Sequence, residues 1–258
     1  MRRVGILGGM GPGATVLLMQ RIMAATPAED DPEHVPLLVD QNPQVPSRIR
    51  HLIERTGDDP APVLAAMARR LEAAGAEALA MPCNTAHHYA PSIRAAVGIP
   101  LLDMVALSVA HAAALAGPGG SVGILASPAL RRIGLLDRPL AAAGLVPAYP
   151  RDEEAMLATI RRIKAEGAGR EARLSLDIAS ADLLARGARV QMVACTEFSM
   201  AGTPTVPGVV GFDALDLLVD AIIAFATADD VNGEKTAAGP STNSANAQDS
   251  QPNKETIP

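Results

Sequence analysis

The stretch "SVGILASPAL", residues 121–130, repeats a signal met at the start of the chain. Val122-Gly123-Ile124-Leu125 matches Val4-Gly5-Ile6-Leu7 in "RVGILGGMGPGAT", residues 3–15. Each copy is a short apolar run closed by turn-forming residues, Gly-Gly in one case and Ser-Pro in the other. Such a run reads as a buried strand that opens a strand–helix unit. Ser127-Pro128 adds an N-cap with proline at the first helical position.

Working outward from the two copies, strands and helices alternate twice. In the first half, strands are expected at 3–8, 34–40, 77–82 and 98–103. Helices are expected at 13–25, at 61–74 with Gly75 as the C-terminal cap, and in an Ala-rich segment ending near 116. In the second half, strands are expected at 121–127, 144–149, 188–194 and 207–212, with helices at 152–165, 170–186 and 213–227. Alternation of this kind builds parallel sheets covered by helices on both faces. The expected fold is therefore α/β, with two pseudo-symmetric lobes and a cleft between them. The first lobe is read as 1–103 plus 205–228, and the second as 104–204. Residues 229–258 are read as a disordered tail. From 232 onward the only large aliphatic is Ile257 and there is no aromatic, too little to offset chain entropy.

Composition narrows the function. Lys and Arg number 22 against 28 Asp and Glu, a formal charge of −6, and the chain has no Trp, two Tyr and three Phe. Neither a basic nucleic-acid surface nor a base-stacking platform suits these totals. No apolar run is long enough to span a bilayer, and the Gly/Pro cluster after Leu7 breaks the resemblance to a secretory leader. The expected location is the cytoplasm, with neither nucleic acid nor membrane as partner. The two cysteines are then read as free thiols.

Those cysteines hold the chemical signal. Cys83 in "MPCNTAHHYA" (81–90) and Cys195 in "VACTEFSM" (193–200) each follow an apolar run, at corresponding points of the two halves. In open α/β sheets the C-terminal strand ends border the ligand crevice. Two lobes facing one another would aim both thiols at one substrate. One thiolate can then remove a proton from one face of a carbon while the opposing thiol returns a proton to the other face, which inverts the centre.

The motifs "VGILGGMGPGAT", "MPCNTAH" and "CTE", in this order and spacing, resemble the aspartate/glutamate racemase family, and its aspartate racemase branch most closely. The resemblance covers residues 1 to about 228. It implies an amino-acid racemase that needs no cofactor, acts on aspartate or a related acidic amino acid, and assembles as a homodimer. Cys83 and Cys195 would be the paired acid and base. Asn84, Thr85 and Thr196 would hold the α-carboxylate. Arg48, in "NPQVPSR", and Lys164, in "RRIKAEG", would bind carboxylates. Met10, Gln44, Ser127 and Glu197 would complete the substrate-facing set. Three places depart from the family pattern: Ser47 beside the arginine, Ala194 before the second cysteine, and "ASPALRR" (126–132) after the fifth strand.

Other readings of the same residues stay open at this point. Gly9-x-Gly11-x-x-Ala14 after a strand meets a loose dinucleotide fingerprint, although Pro12 stiffens the loop. A tight turn close to a small ligand is the preferred reading, and NAD binding or a non-catalytic amino-acid binder the alternative. A single nucleophilic cysteine, as in maleate isomerases, or Cys83 activated by His87, are further alternatives. His88 reads as a surface residue, and the five histidines show no metal-binding spacing, so no metal is expected.

Overall fold

A computed structural model describes residues 1–228; the tail expected from 229 onward lies outside them. Two four-stranded parallel sheets form the framework. The first contains β1 (Val4–Gly8), β2 (Leu37–Gln41), β3 (Ala78–Ala80) and β4 (Leu101–Leu102) in the order β2-β1-β3-β4. The second contains β5 (Ser121–Leu125), β6 (Val146–Ala148), β7 (Val190–Val193) and β8 (Val210–Asp213) in the order β6-β5-β7-β8. The two orders are the same, so the repeated tetrapeptides occupy equivalent strands. Val4 pairs with Leu37 and Ala78 on its two sides, and Gly123 pairs with Ala148 and Gln191. Strands β1, β3 and β7 are buried along their whole length, which explains why they read as unbroken apolar runs.

The helices follow from periodicity and caps. In chain order they are α1 (Pro12–Ala25), α2 (Ala61–Ala73), α3 (Ala90–Arg94), α4 (Met104–Ala116), α5 (Pro128–Ile133), α6 (Asp137–Ala142), α7 (Glu153–Glu166), α8 (Arg170–Ala185), α9 (Thr196–Ser199) and α10 (Ala214–Thr227). Asp103, Asp152 and Asp213 accept backbone N–H bonds at the starts of α4, α7 and α10, and Ser127 caps α5 as its Ser-Pro pair predicts. Apolar side chains fill both faces of each sheet. Leu64, Met67 and Leu71 of α2 cover one face of the first sheet, and Leu18 and Ile22 of α1 with Leu218 and Ile222 of α10 cover the other. Ile160 and Ile163 of α7 with Leu176 and Leu183 of α8 lie on one face of the second sheet, and Val105, Val109 and Leu140 lie on the other.

One boundary differs from the sequence reading. The segment 205–228 was expected in the first lobe as a unit, but it divides. Strand β8 pairs with β7 through Val190↔Val210 and Val193↔Asp213 in the second sheet, whereas α10 packs with α1 on the first. The chain changes lobe at Asp213. The reason is the edge of β7, whose backbone donors and acceptors need a partner strand on that side.

Polar contacts join the lobes, among them an ion pair between Arg161 and Glu54 at 4.0 Å. The Thr196 hydroxyl donates to the Pro82 carbonyl at 2.9 Å. Arg21 of α1 donates to Asp213 at 2.7 Å, to Asp216 at 2.7 Å and to the Ser199 carbonyl at 2.8 Å. Among the described residues no helix is long and apolar enough to cross a membrane.

Candidate active site

The site is assembled from the segments that follow β1, β2, β3, β5 and β7, together with one face of α7. After β1 the chain turns at Gly9, which has φ +91°. A Cβ there would lie 2.3 Å from the Asn42 carbonyl carbon, so this turn needs glycine for both conformation and space. The Gly9 N–H donates to Thr15 Oγ1 at 2.9 Å, which folds the glycine loop back on α1. Met10 is thereby brought to the cleft. A Cβ added at Gly11 would lie 3.4 Å from Lys164 Nζ and 3.8 Å from Glu197 Oε1. Side chains of the second lobe therefore stand over the loop where a dinucleotide pyrophosphate would rest.

Past β3, the Cys83 carbonyl accepts from His87 Nδ1 at 2.9 Å. His87 Nε2 accepts the Met104 N–H at 3.2 Å, so the ring proton sits on Nδ1. Burial, the largest influence, holds the His87 pKa below its ordinary value, and the ring is neutral. Both ring nitrogens are used by backbone groups. His87 therefore fixes the Cys83 loop to the start of α4 and has no lone pair left to activate the Cys83 thiol. His88 is exposed, as expected.

Past β7, Cys195 Sγ donates to Glu197 Oε2 at 3.1 Å, and Glu197 Oε1 forms an ion pair with Lys164. Burial above all, then the Glu197 charge and hydrogen bond, push the Cys195 thiol well above its usual range. The Glu197 N–H and the Lys164 charge act in the opposite direction and do not outweigh them. Cys195 is consequently a protonated thiol at neutral pH.

Both thiols border one small cavity of about 80 Å³, and each residue is buried, Cys83 at 9% and Cys195 at 8% exposure. Met10, Arg48, Thr85, Ser127, Lys164 and Glu197 also line it, so eight of the sequence-predicted site residues meet here. Ser47, Ile49 and Ile160 line it as well and were not among those predicted. Ile160 precedes Lys164 by one helical turn on α7, so its position was available from helical spacing. Three predicted residues do not line the cavity. Gln44 is exposed, and its N–H is turned to Asn42 Oδ1. Asn84 is buried with its Oδ1 unpartnered, and the Thr196 hydroxyl is used by Pro82.

The Arg48 guanidinium donates to the carbonyls of Pro46 at 2.9 Å, Val45 at 3.3 Å and Met10 at 3.3 Å. No ion pair involves it among the described residues, so its charge faces the cavity without a carboxylate partner. With Ser47 in place of an acidic neighbour, backbone carbonyls do the orienting. A wider hollow of about 570 Å³ lies elsewhere, beside Arg21, Asp213, Asp216 and Asp220. It contains none of the sequence-predicted site residues. No group of His, Cys, Asp or Glu among the described residues has the arrangement of a metal site.

A model of the Asp/Glu/hydantoin racemase family matches residues 7–222. The chain belongs to this family. Its two sheets superpose on those of solved structures of similar fold. An aspartate racemase from Picrophilus torridus is 24% identical, with a TM-score of 0.75 over 88% of this chain and 94% of that one. An aspartate racemase homologue from Pyrococcus horikoshii is 20% identical, with a TM-score of 0.67 over 88% and 100%. A glutamate racemase from Francisella tularensis, solved with D-glutamate, is 15% identical, with a TM-score of 0.60 over 87% and 80%. At these identities the likeness is one of fold. Family membership makes the chain a member of a racemase and isomerase family.

Proposed function

We propose that this racemase-family protein interconverts the enantiomers of an acidic amino acid, aspartate foremost, by a cofactor-independent two-base mechanism using Cys83 and Cys195. The observation that carries the reading is the meeting of two buried thiols, from equivalent strand ends of two lobes, at one small cavity. The names of similar structures, aspartate and glutamate racemases, support the substrate class.

The geometry supports the chemistry as follows. Cys195, held as a thiol, is the acid toward one face of the α-carbon, and Cys83 is the base toward the other. In the reverse direction the roles exchange. A thiolate is a suitable base because the thiol pKa, about 8.5 unperturbed, lies close to neutral pH. The α-proton beside a carboxylate is a poor acid, so charge developing in the transition state needs fixed donors in a water-poor cavity. Arg48 offers a planar fork for one carboxylate, and Lys164 a point charge for another. The cavity's size suits a compact substrate and not a dinucleotide.

Two measurements test this. Aspartate and glutamate, each as a single enantiomer and without added cofactor, are incubated with the protein and resolved by chiral chromatography. The expected result is appearance of the opposite enantiomer; failure to invert either one refutes the assignment. In D₂O the inverted product should carry deuterium at the α-carbon. Unlabelled product would instead indicate attack by a single thiolate, as in a maleate isomerase. Arg48→Ala should raise KM roughly ten- to hundredfold with a smaller change in kcat, through loss of charge-assisted hydrogen bonds contributing about 1.5–3 kcal/mol. An unchanged KM would remove Arg48 from the binding set.

A further inference from the structure

The cavity between the thiols, at about 80 Å³, is far smaller than the roughly 300–1,000 Å³ of ordinary ligand sites. A second hollow of about 340 Å³ lies directly beyond its wall. Lys164 and Glu197 line both spaces, so their ion pair is the partition between them. The outer hollow is bounded on one side by Gly11 and the first residues of α1, and on the other by Ile163 at the end of α7 and Met200 after α9. Like the cavity, it follows the seam between the lobes. The partition is incomplete at Gly11. A Cβ placed there would meet only Lys164 Nζ at 3.4 Å and Glu197 Oε1 at 3.8 Å, which is ordinary contact. The Gly11 backbone is extended, with φ −103° and ψ 172°, so conformation does not call for glycine at this position. The missing side chain instead leaves a slot one methylene group wide between the loop and the ion pair.

Lys164 serves both ends of the slot. Its ammonium has three donors, and Glu197 takes one of them. The side chain is 42% exposed, so its other N–H groups are open to a ligand carboxylate while the pair with Glu197 stays intact. Beyond it, Ala14, Ile163 and Met200 supply apolar walls suited to methylene groups, and Met200 borders solvent. We infer that the outer hollow is a specificity subsite for the substrate side chain, and that the protein accepts acidic amino acids longer than aspartate. The inference rests on the reading of the inner cavity as the place of α-proton transfer. In aspartate a single methylene separates the α-carbon from the distal carboxylate, which meets Lys164 from the cavity side. Glutamate adds one methylene, and 2-aminoadipate adds another. The added methylenes occupy the slot beside Gly11, and the distal carboxylate reaches the same ammonium from the hollow side. The α-carbon stays between the thiols in all three, so the chemistry needs no further group. Length selection then belongs to Gly11, which keeps the slot open, and to Met200, which closes its far end.

Single enantiomers of aspartate, glutamate and 2-aminoadipate are assayed by chiral chromatography, and kcat/KM is compared within each protein. The unaltered protein should invert 2-aminoadipate with a kcat/KM within about tenfold of the aspartate value, since an open slot imposes no more than the discrimination of a methylene. Met200→Trp fills the hollow and Gly11→Ala fills the slot. Each should lower the ratio of 2-aminoadipate to aspartate by about tenfold or more, the discrimination a closed pocket exerts against an extra methylene. Met200→Ala widens the hollow and should raise the ratio. Met200 is 36% exposed and Gly11 has room for a Cβ, so the folds should persist, as thermal melting verifies. The slot and the hollow are filled independently, so either folded variant decides. Inversion of aspartate without 2-aminoadipate overturns the subsite and leaves the racemase reading standing. The same holds if both substrates lose rate together in the filled variants, or if the ratio does not move. If none of the three amino acids is inverted by the unaltered protein, the racemase reading fails and the subsite with it.

Discussion

Cys83→Ser and Cys195→Ser should each lose about 10³-fold or more in kcat/KM for racemisation, with unchanged thermal stability. A serine hydroxyl keeps the size of the group but is far too weak an acid to supply an alkoxide near neutral pH. Replacing a positioned acid–base group forfeits about 10²–10⁴-fold. Because the two enantiomers are equal in free energy, the loss must be the same in both directions, and progress curves from either side provide an internal control. The opposed-face geometry makes a further demand. Each variant retains one thiol, and in D₂O that thiol can exchange the α-proton of the enantiomer it faces without inverting it. The two variants should therefore wash deuterium into opposite enantiomers. Retained racemisation in either variant contradicts the two-thiol assignment, and exchange of the same enantiomer in both contradicts the opposed faces.

Much of the framework was legible in the sequence because it depends on local pattern. The tetrapeptides at Val4 and Val122 occupy equivalent strands, and all four residues of each are buried, as unbroken apolar runs in a strand covered on both faces require. Ser127-Pro128 opens α5, and Gly75 turns the chain after α2 with φ +92°. What escaped depends on contacts between residues far apart in the chain. Nothing near Lys164 announces Glu197 as its partner, because α7 and α9 meet only through the packing of the second lobe. Thr196 reads as a carboxylate donor from its place after Cys195, yet its hydroxyl is taken by Pro82 of the other lobe. His87 suggests a base for Cys83 until Met104, at the start of α4, claims its second nitrogen. Short elements such as α3 and α6 also escaped, because five or six residues are too few to establish a helical period. The two thiols at corresponding strand ends were readable because duplication places like residues at like positions.

Arg21→Met should destabilise the fold by about 3 kcal/mol at neutral pH, in the range found when one partner of a buried ion pair is removed. The side chain of Asp213 is 1% exposed and that of Arg21 is 23% exposed, so the carboxylate depends on the guanidinium for its compensation. Asp213 also accepts from Ser199 at 2.8 Å and from the Leu215 N–H at 2.9 Å at the start of α10. Even with these partners, burial, the largest influence, holds its pKa above the usual carboxylate value. The sign of the pH dependence follows. A carboxyl whose native pKa is raised binds its proton more tightly in the folded state. Its contribution is favourable below the unfolded pKa and is lost as pH rises through the native one. Without Arg21 the native value climbs further, so the deficit is largest at neutral pH and shrinks on acidification, as Asp213 becomes neutral. Urea unfolding of both proteins at neutral pH and near pH 4.5 checks this: the gap should narrow at the lower pH. Arg21→Met/Asp213→Asn should recover part of the loss at neutral pH, because an amide keeps an acceptor for Ser199 and Leu215 without a buried charge. A gap independent of pH, with no recovery in the double variant, would mean that Arg21 acts by packing and by its bond to the Ser199 carbonyl, and not by neutralising the buried charge where the two lobes join.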